Sequence, residues 1–266
     1  MQSPAGGTPQ APTRVLVVDG EPQTARALVT GLRARGHEVD IAHDGVTALR
    51  LAAARHPDVV LLDPGLPDMD GPEAIRKLRA RTGAPILVLS AGHSSDEGDD
   101  KGEVDDEGDG EGEAKGDRED EARRVRAEAL GAGADDCLTE PFGVDDVLAR
   151  LRAAVHRAEA ADGSEAEVLV ETDGFTVDLA ARKVYRADKE VRLTPTEWRL
   201  LEVLVRNTGR LVGQRQLLQE VWGPSYGTET NYLRVYMAQL RRKLEANPSH
   251  PRHFVTEPGT GYRFER

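Results

Sequence analysis

The sequence predicts an α/β domain built on a parallel sheet, followed by a smaller α+β domain with a basic balance. Three observations carry this. Short β-branched runs alternate with helical apolar patterns from residue 14 to 157, as parallel βαβ units require. Residues 169–266 instead show short alternating stretches, three helical patterns and a closing strand–turn–strand around Gly259 and Gly261. The charge of the two parts also differs in sign.

Taken in order, residues 1–13 form a polar tail without the apolar core of a signal peptide. RVLVV (14–18) reads as a buried strand ending at Asp19. Ala25, Leu28, Val29 and Leu32 mark a helix closed by Gly36; Val39 and Ile41 mark a second strand. DVVLLD (58–63) and PILVLS (85–90) are strands, each following a helical pattern. Asp19, Asp63 and Ser90 then gather at the carboxyl edge of the sheet, where such folds place their sites. Residues 92–121 are Gly-, Asp- and Glu-rich and are expected to be disordered. The pattern resumes with Val125, Ala129 and Leu130, a strand near Cys137 and a helix through Val147, Leu151 and Val155. Residues 158–168 read as a linker.

The net charge of −12 argues against a nucleic-acid partner only until it is located. Residues 96–121 hold 15 acidic and 3 basic side chains and carry all of it. Residues 169–266 hold 16 Lys or Arg against 12 Asp or Glu, a surplus that suits a polyanion. No apolar run approaches the roughly 20 residues that span a bilayer. The single cysteine, Cys137, excludes an intrachain disulfide and fits a reducing compartment. A soluble cytoplasmic protein that binds no membrane is expected.

VLVVDGEPQ, DVVLLDPGLPDMDG, PILVLSA and GAGADDCLTEPFG resemble the successive motifs of a response-regulator receiver, a doubly wound (βα)5, flavodoxin-like domain. LTPTEWRLLEVLVRNTGRLVGQRQLLQEVW (193–222) and the sequence after it resemble the winged helix-turn-helix of the OmpR/PhoB class. The resemblance implies a receiver over 14–157 and a DNA-binding domain over 169–266. It also implies Asp63 as phosphoacceptor, Ser90 as the hydroxyl beside it, and Mg²⁺ held by Asp19, Asp63 and the Gly65 carbonyl. Two helpers depart from the family. Gly20 stands where a metal-ligating acid is expected, within Asp19-Gly20-Glu21, and Glu140 replaces the lysine before Pro141. Two unit charges about 4 Å apart interact by about 4 kcal/mol at an effective dielectric near 20, so this exchange disfavours the phosphorylated state by several kcal/mol. The expectation is a regulator weakly dependent, or not dependent, on phosphorylation. The alternative is a conventional phosphorelay output with a sensor histidine kinase, Glu21 moving in to hold the cation and Glu140 turning to solvent. A third reading makes the acidic insert the working part of an interaction protein.

The family pairs active receivers through opposite charges. The matching positions are Arg126 with Asp146 and Asp136 with Arg150, while Gly131 stands at a third, acidic position; a homodimer is expected. Asp105, Glu107, Asp109 and Gly110 resemble the start of a calcium loop, which fails at Gly112 and Gly116. On TETNYLRVYMAQLRRKLE (228–245), Leu233, Tyr236, Met237, Leu240 and Leu244 share one helical face. Asn231, Arg234, Val235, Ala238, Arg241 and Arg242 share the opposite face, with Gln239 at the margin. Such a face suits the major groove of double-stranded DNA. In the wing, Pro258 replaces an arginine and Arg263 remains nearby. The C-terminal segments are similar to the potassium-transport (Kdp-type) regulators, which implies RNA polymerase as a further partner.

Overall fold

The structure, a computed structural model, describes residues 12–90, 111–139, 142–159 and 169–266. Glu140, Pro141, the calcium-like positions 105–110 and most of the tail and linker lie outside the described residues.

Five strands form the first sheet: β1 (Arg14–Val18), β2 (Glu38–Ala42), β3 (Val59–Leu62), β4 (Ile86–Ser90) and β5 (Asp136–Thr139). They pair in parallel in the order β2-β1-β3-β4-β5. The reversal of order beside β1 places the carboxyl ends of β1 and β3 next to one another, which puts Asp19 and Asp63 at a topological switch point. Both faces of the sheet are covered, as a parallel sheet requires. Val15 and Val17 of β1 share a core with Leu28 and Leu32 of α1 (Pro22–Arg33) and Leu148 and Leu151 of α5 (Val144–Glu159). Leu16 and Val18 face the other way. They share the second core with α2 (Gly45–Arg55), α3 (Gly71–Arg79) and α4 (Glu111–Ala132), through Leu49, Ile75 and Leu130. Asp44 and Asp70 cap α2 and α3, each accepting a backbone N–H at 2.6 Å.

Helix α4 begins at Glu111 and so takes in the end of the segment 92–121 that composition marks as disordered. The physical reason is propagation. Ala129 and Leu130 are buried and anchor the C-terminal turns, and once a helix is nucleated each added residue costs little.

The second domain opens with an antiparallel sheet of β6 (Leu169–Glu171), β7 (Thr176–Asp178), β8 (Lys183–Arg186) and β9 (Lys189–Glu190). Then come α6 (Pro195–Arg206), β10 (Leu211–Gly213), α7 (Gln214–Trp222), α8 (Thr230–Leu244), β11 (Phe254–Glu257) and β12 (Gly261–Phe264). Thr194 and Glu197 close a reciprocal capping box on α6. The last strands form a hairpin that pairs with β10 in the order β10-β12-β11. Gly261 is required there, because a Cβ at that position collides with the Val212 carbonyl.

Candidate functional site

Asp19 is 4 % exposed and its Oδ1 accepts the Glu21 N–H at 2.7 Å. Burial, chiefly, raises its carboxyl above the ordinary aspartate value; Asp63 and Glu21 add to this and the Glu21 N–H opposes it. Asp63 is half-buried, and the Gly65 N–H donates to its Oδ1 at 2.6 Å. Ser90 is buried at the end of β4. The edge therefore brings Asp19, Asp63, Gly65 and Ser90 together, with Glu21 exposed at the rim. Gly20 is packed closely: a Cβ there stands 2.8 Å from the Gly65 carbonyl oxygen and 3.3 Å from Pro67 Cδ. The loop after β3 thus occupies the space that a side chain at this position needs. Among the described residues no three His, Cys, Asp or Glu side chains are arranged to hold a metal ion. Asp19, Asp63 and the Gly65 carbonyl would supply two carboxylates and a carbonyl, leaving the rest of an octahedral Mg²⁺ shell to water; Gly20 offers no further ligand.

Helix α8 presents an exposed stripe of Asn231, Arg234, Ala238 and Arg242. The other candidates for base or phosphate contact are placed differently. Arg241 is half-buried and donates to the Phe254 carbonyl at 2.5 and 3.0 Å and to Thr256 Oγ1 at 2.6 Å, which fastens α8 to the hairpin. Arg263 pairs with Glu257 at 2.9 Å and Glu265 at 3.6 Å. Val235 is half-buried. Gln239 is 5 % exposed and its Nε2 donates to the Leu130 carbonyl of α4 at 2.7 Å. A helical wheel puts Val235 on the open face and Gln239 at its margin because it contains one domain only; the receiver covers them.

That covering surface is the receiver's α4–β5–α5 face. Asp136, 1 % exposed, accepts from the Tyr226 hydroxyl at 2.5 Å and the Tyr232 hydroxyl at 3.0 Å, and pairs with Arg150 at 3.0 Å. Arg150 and Asp136 thus pair within one chain. Arg126 donates to Thr139 Oγ1 at 3.2 Å and faces the Tyr232 ring, while Asp146 accepts the Gly143 N–H at 2.9 Å. Burial, chiefly, raises the Tyr232 and Tyr236 hydroxyls well above the ordinary phenol value, so both remain protonated donors. Asp135 does the same work one residue earlier. Its carboxylate meets Arg79, the Ile86 N–H at 2.9 Å and the Thr196 hydroxyl at 2.7 Å, at the first turn of α6. An anion there also meets the positive end of the helix dipole. Trp222 Nε1 donates to the Asp135 carbonyl at 3.0 Å and Tyr236 to the Ala134 carbonyl. Sequence reasoning places Trp222 and Tyr236 in a core and passes over Tyr226, Tyr232 and Thr196 as partners of the receiver. Nothing in the sequence marks these partners: Asp135 and Asp136 are both buried, at 2 % and 1 % exposed, because Arg79, Arg150 and the second domain's hydroxyls pair with them. Cys137 is buried and its thiol is pushed up to about 11, chiefly by burial, as for an inert buried thiol.

Two family models match the chain: the response regulator receiver domain over residues 15–102, and the C-terminal domain of transcriptional regulatory proteins over residues 188–264. The sheet order, the winged helix and these matches define one class, and the chain belongs to the DNA-binding response regulators of two-component systems, not to an enzyme family. Within that class it is 53 % identical over 253 residues to the transcriptional regulatory protein KdpE of Mycobacterium tuberculosis (strain H37Rv), covering 95 % of this chain and 99 % of the relative. It is 44 % identical to the KDP operon transcriptional regulatory protein KdpE of Escherichia coli (strain K12), covering 95 % and 99 %. The response regulator MprA of Mycobacterium sp. (strain KMS) is 38 % identical, covering 94 % and 96 %. Among solved structures, a RitR mutant superposes with a TM-score of 0.69 at 24 % identity, covering 95 % of this chain and 98 % of that one, which supports the fold. No helix among the described residues is long and apolar enough to cross a membrane.

Proposed function

We propose that the protein regulates a Kdp-type potassium-transport operon, and that its receiver governs DNA access by covering the recognition helix, with little dependence on phosphorylation of Asp63. The observation that carries this reading is the state of α8: Asn231, Arg234, Ala238 and Arg242 lie open while Val235 and Gln239 lie against or beneath α4. A helix entering the major groove needs both stripes clear, so sequence-specific binding requires the domains to part. Parting also frees Arg126, Asp136, Asp146 and Arg150 for a second copy of the chain, which couples opening to dimerisation on DNA and to recruitment of RNA polymerase. Independence from phosphate is supported by the packing of Gly20 against the Gly65 carbonyl and by Glu140 in the lysine position. The target is supported by the likeness to the Escherichia coli regulator of the KDP operon.

A second reading, a phosphorelay output served by a sensor histidine kinase, is favoured by Asp63 and Ser90 standing together at the sheet edge. Phosphate-affinity electrophoresis with acetyl phosphate separates the two. The first reading predicts no shifted band. A band abolished by Asp63→Asn establishes the second.

A further inference from the structure

Helix α8 ends on three consecutive cations that the fold uses differently. Arg242 is exposed and forms no hydrogen bond or ion pair among the described residues. Successive residues of a helix are about 100° apart, so Arg241 and Lys243 flank it on either side. Arg241 reaches the closing hairpin. Lys243 reaches α6: its ammonium donates to Glu197 Oε2 at 2.6 Å and to the Arg192 carbonyl at 3.0 Å. Glu197 is 1 % exposed, and the same Oε2 accepts the Thr194 N–H at 2.7 Å within the capping box. The pair therefore joins the last turn of α8 to the capped first turn of α6. A buried ion pair adds little stability over apolar side chains of similar size, and its best-attested use is to fix register. That use is needed here. The apolar face of α8 sets its inner side, yet apolar contacts repack at small cost, whereas hydrogen bonds to one carboxylate are directional. The ties from Tyr232, Tyr236 and Gln239 go to the receiver and are lost when the domains part. The Lys243–Glu197 tie lies within one domain and persists. Side chains reach about 6 Å from a helix axis, so a roll of about 20° carries an exposed stripe sideways by about 2 Å, enough to spoil a bidentate contact to a base edge.

We propose that Lys243 is a positioning residue for sequence recognition. Held by Glu197, it fixes the rotation of α8 about its axis and so aims Arg242 and the stripe that begins at Asn231, without touching DNA itself. This rests on the reading that α8 enters the major groove. The test measures binding of the full chain to a duplex that the natural protein selects from a random pool, and to a scrambled duplex, with the active fraction fixed by stoichiometric titration. Lys243→Met should lower the ratio of the two affinities at least about tenfold, while affinity and salt slope on the scrambled duplex stay unchanged. Glu197→Gln, which keeps the capping acceptor, should do the same, and the two substitutions together should lower the ratio no further. Lys243→Arg should keep most of it. If Lys243→Met weakens both duplexes equally and flattens the salt slope by about one unit, with Glu197→Gln silent, Lys243 is a direct phosphate contact and the proposal is overturned. A loss of active fraction with the ratio intact also overturns it, since a merely structural pair behaves that way. An effect of Arg242→Ala on the selected duplex beside an unchanged ratio in the Lys243 and Glu197 variants overturns the proposal alone. Arg242→Ala that alters binding to neither duplex overturns the reading of α8 and the proposal with it.

Discussion

Asp135 and Asp136 are neighbours in sequence that the fold puts to different uses, one tying α6 to the receiver and the other holding two tyrosines and Arg150. Removing the Asp135 carboxylate leaves the Arg79 guanidinium, 12 % exposed, without its counter-ion. Breaking such a buried pair costs about 3–5 kcal/mol, so Asp135→Ala should lower the urea midpoint accordingly, with Asp135→Asn milder. Asp19 behaves oppositely. Its carboxyl is raised in the folded state, chiefly by burial, so the folded protein holds a proton that the unfolded chain has released. Stability therefore falls as pH rises from the ordinary aspartate value through the raised one. Asp19→Asn should remove that dependence and raise the melting temperature at pH 7; an unchanged or lowered value contradicts the assignment. The residues of the sheet's carboxyl edge are legible because Asp19, Asp63 and Ser90 each end a recognisable strand. Gly20 was legible as a missing ligand, but not as a position filled by the Gly65 loop, since that approach joins segments some 45 residues apart.

Helix α8 combines a structural face, an exposed stripe proposed to read DNA and a receiver-facing stripe, and its arginines divide between these. Arg234→Ala and Arg242→Ala should each weaken DNA binding across sequences and flatten the salt dependence by about one unit per phosphate contact. Arg241→Ala should act mainly on stability, because its guanidinium serves the Phe254 carbonyl and Thr256. A salt slope changed by Arg241→Ala as much as by Arg234→Ala contradicts this division. The helical period gave α8 and most of its apolar face, and strand patterns gave the parallel sheet. Two features escaped. The start of α4 was hidden because helix propagation leaves no apolar mark. The burial of Val235 and Gln239 was hidden because it depends on a partner surface 100 or so residues away in the chain.

For the molecule as a whole, the surface resembling the family's dimerisation face and the helix proposed to read DNA are packed against each other in one chain. The contact is polar as well as apolar: Trp222, Tyr226, Tyr232, Tyr236 and Gln239 donate to Asp135, Asp136, Ala134, Cys137 and Leu130 of the receiver. Such a contact is specific yet open to competition by a second copy of the chain and by DNA. Composition could not show this, because the domain boundary reads as a linker and says nothing about docking. The direct measurement is fluorescence anisotropy on the DNA upstream of the protein's own gene. It compares the natural protein, Asp63→Asn, and a variant carrying both Tyr226→Phe and Tyr232→Phe, each with and without acetyl phosphate. Each lost hydroxyl removes a hydrogen bond to a charged group, about 1.5–3 kcal/mol, from the closed state alone. The account predicts that the double variant binds at least about tenfold more tightly, while Asp63→Asn matches the natural protein and acetyl phosphate changes neither. Tightening by acetyl phosphate that Asp63→Asn abolishes, together with unaltered affinity in the tyrosine variant, would contradict it.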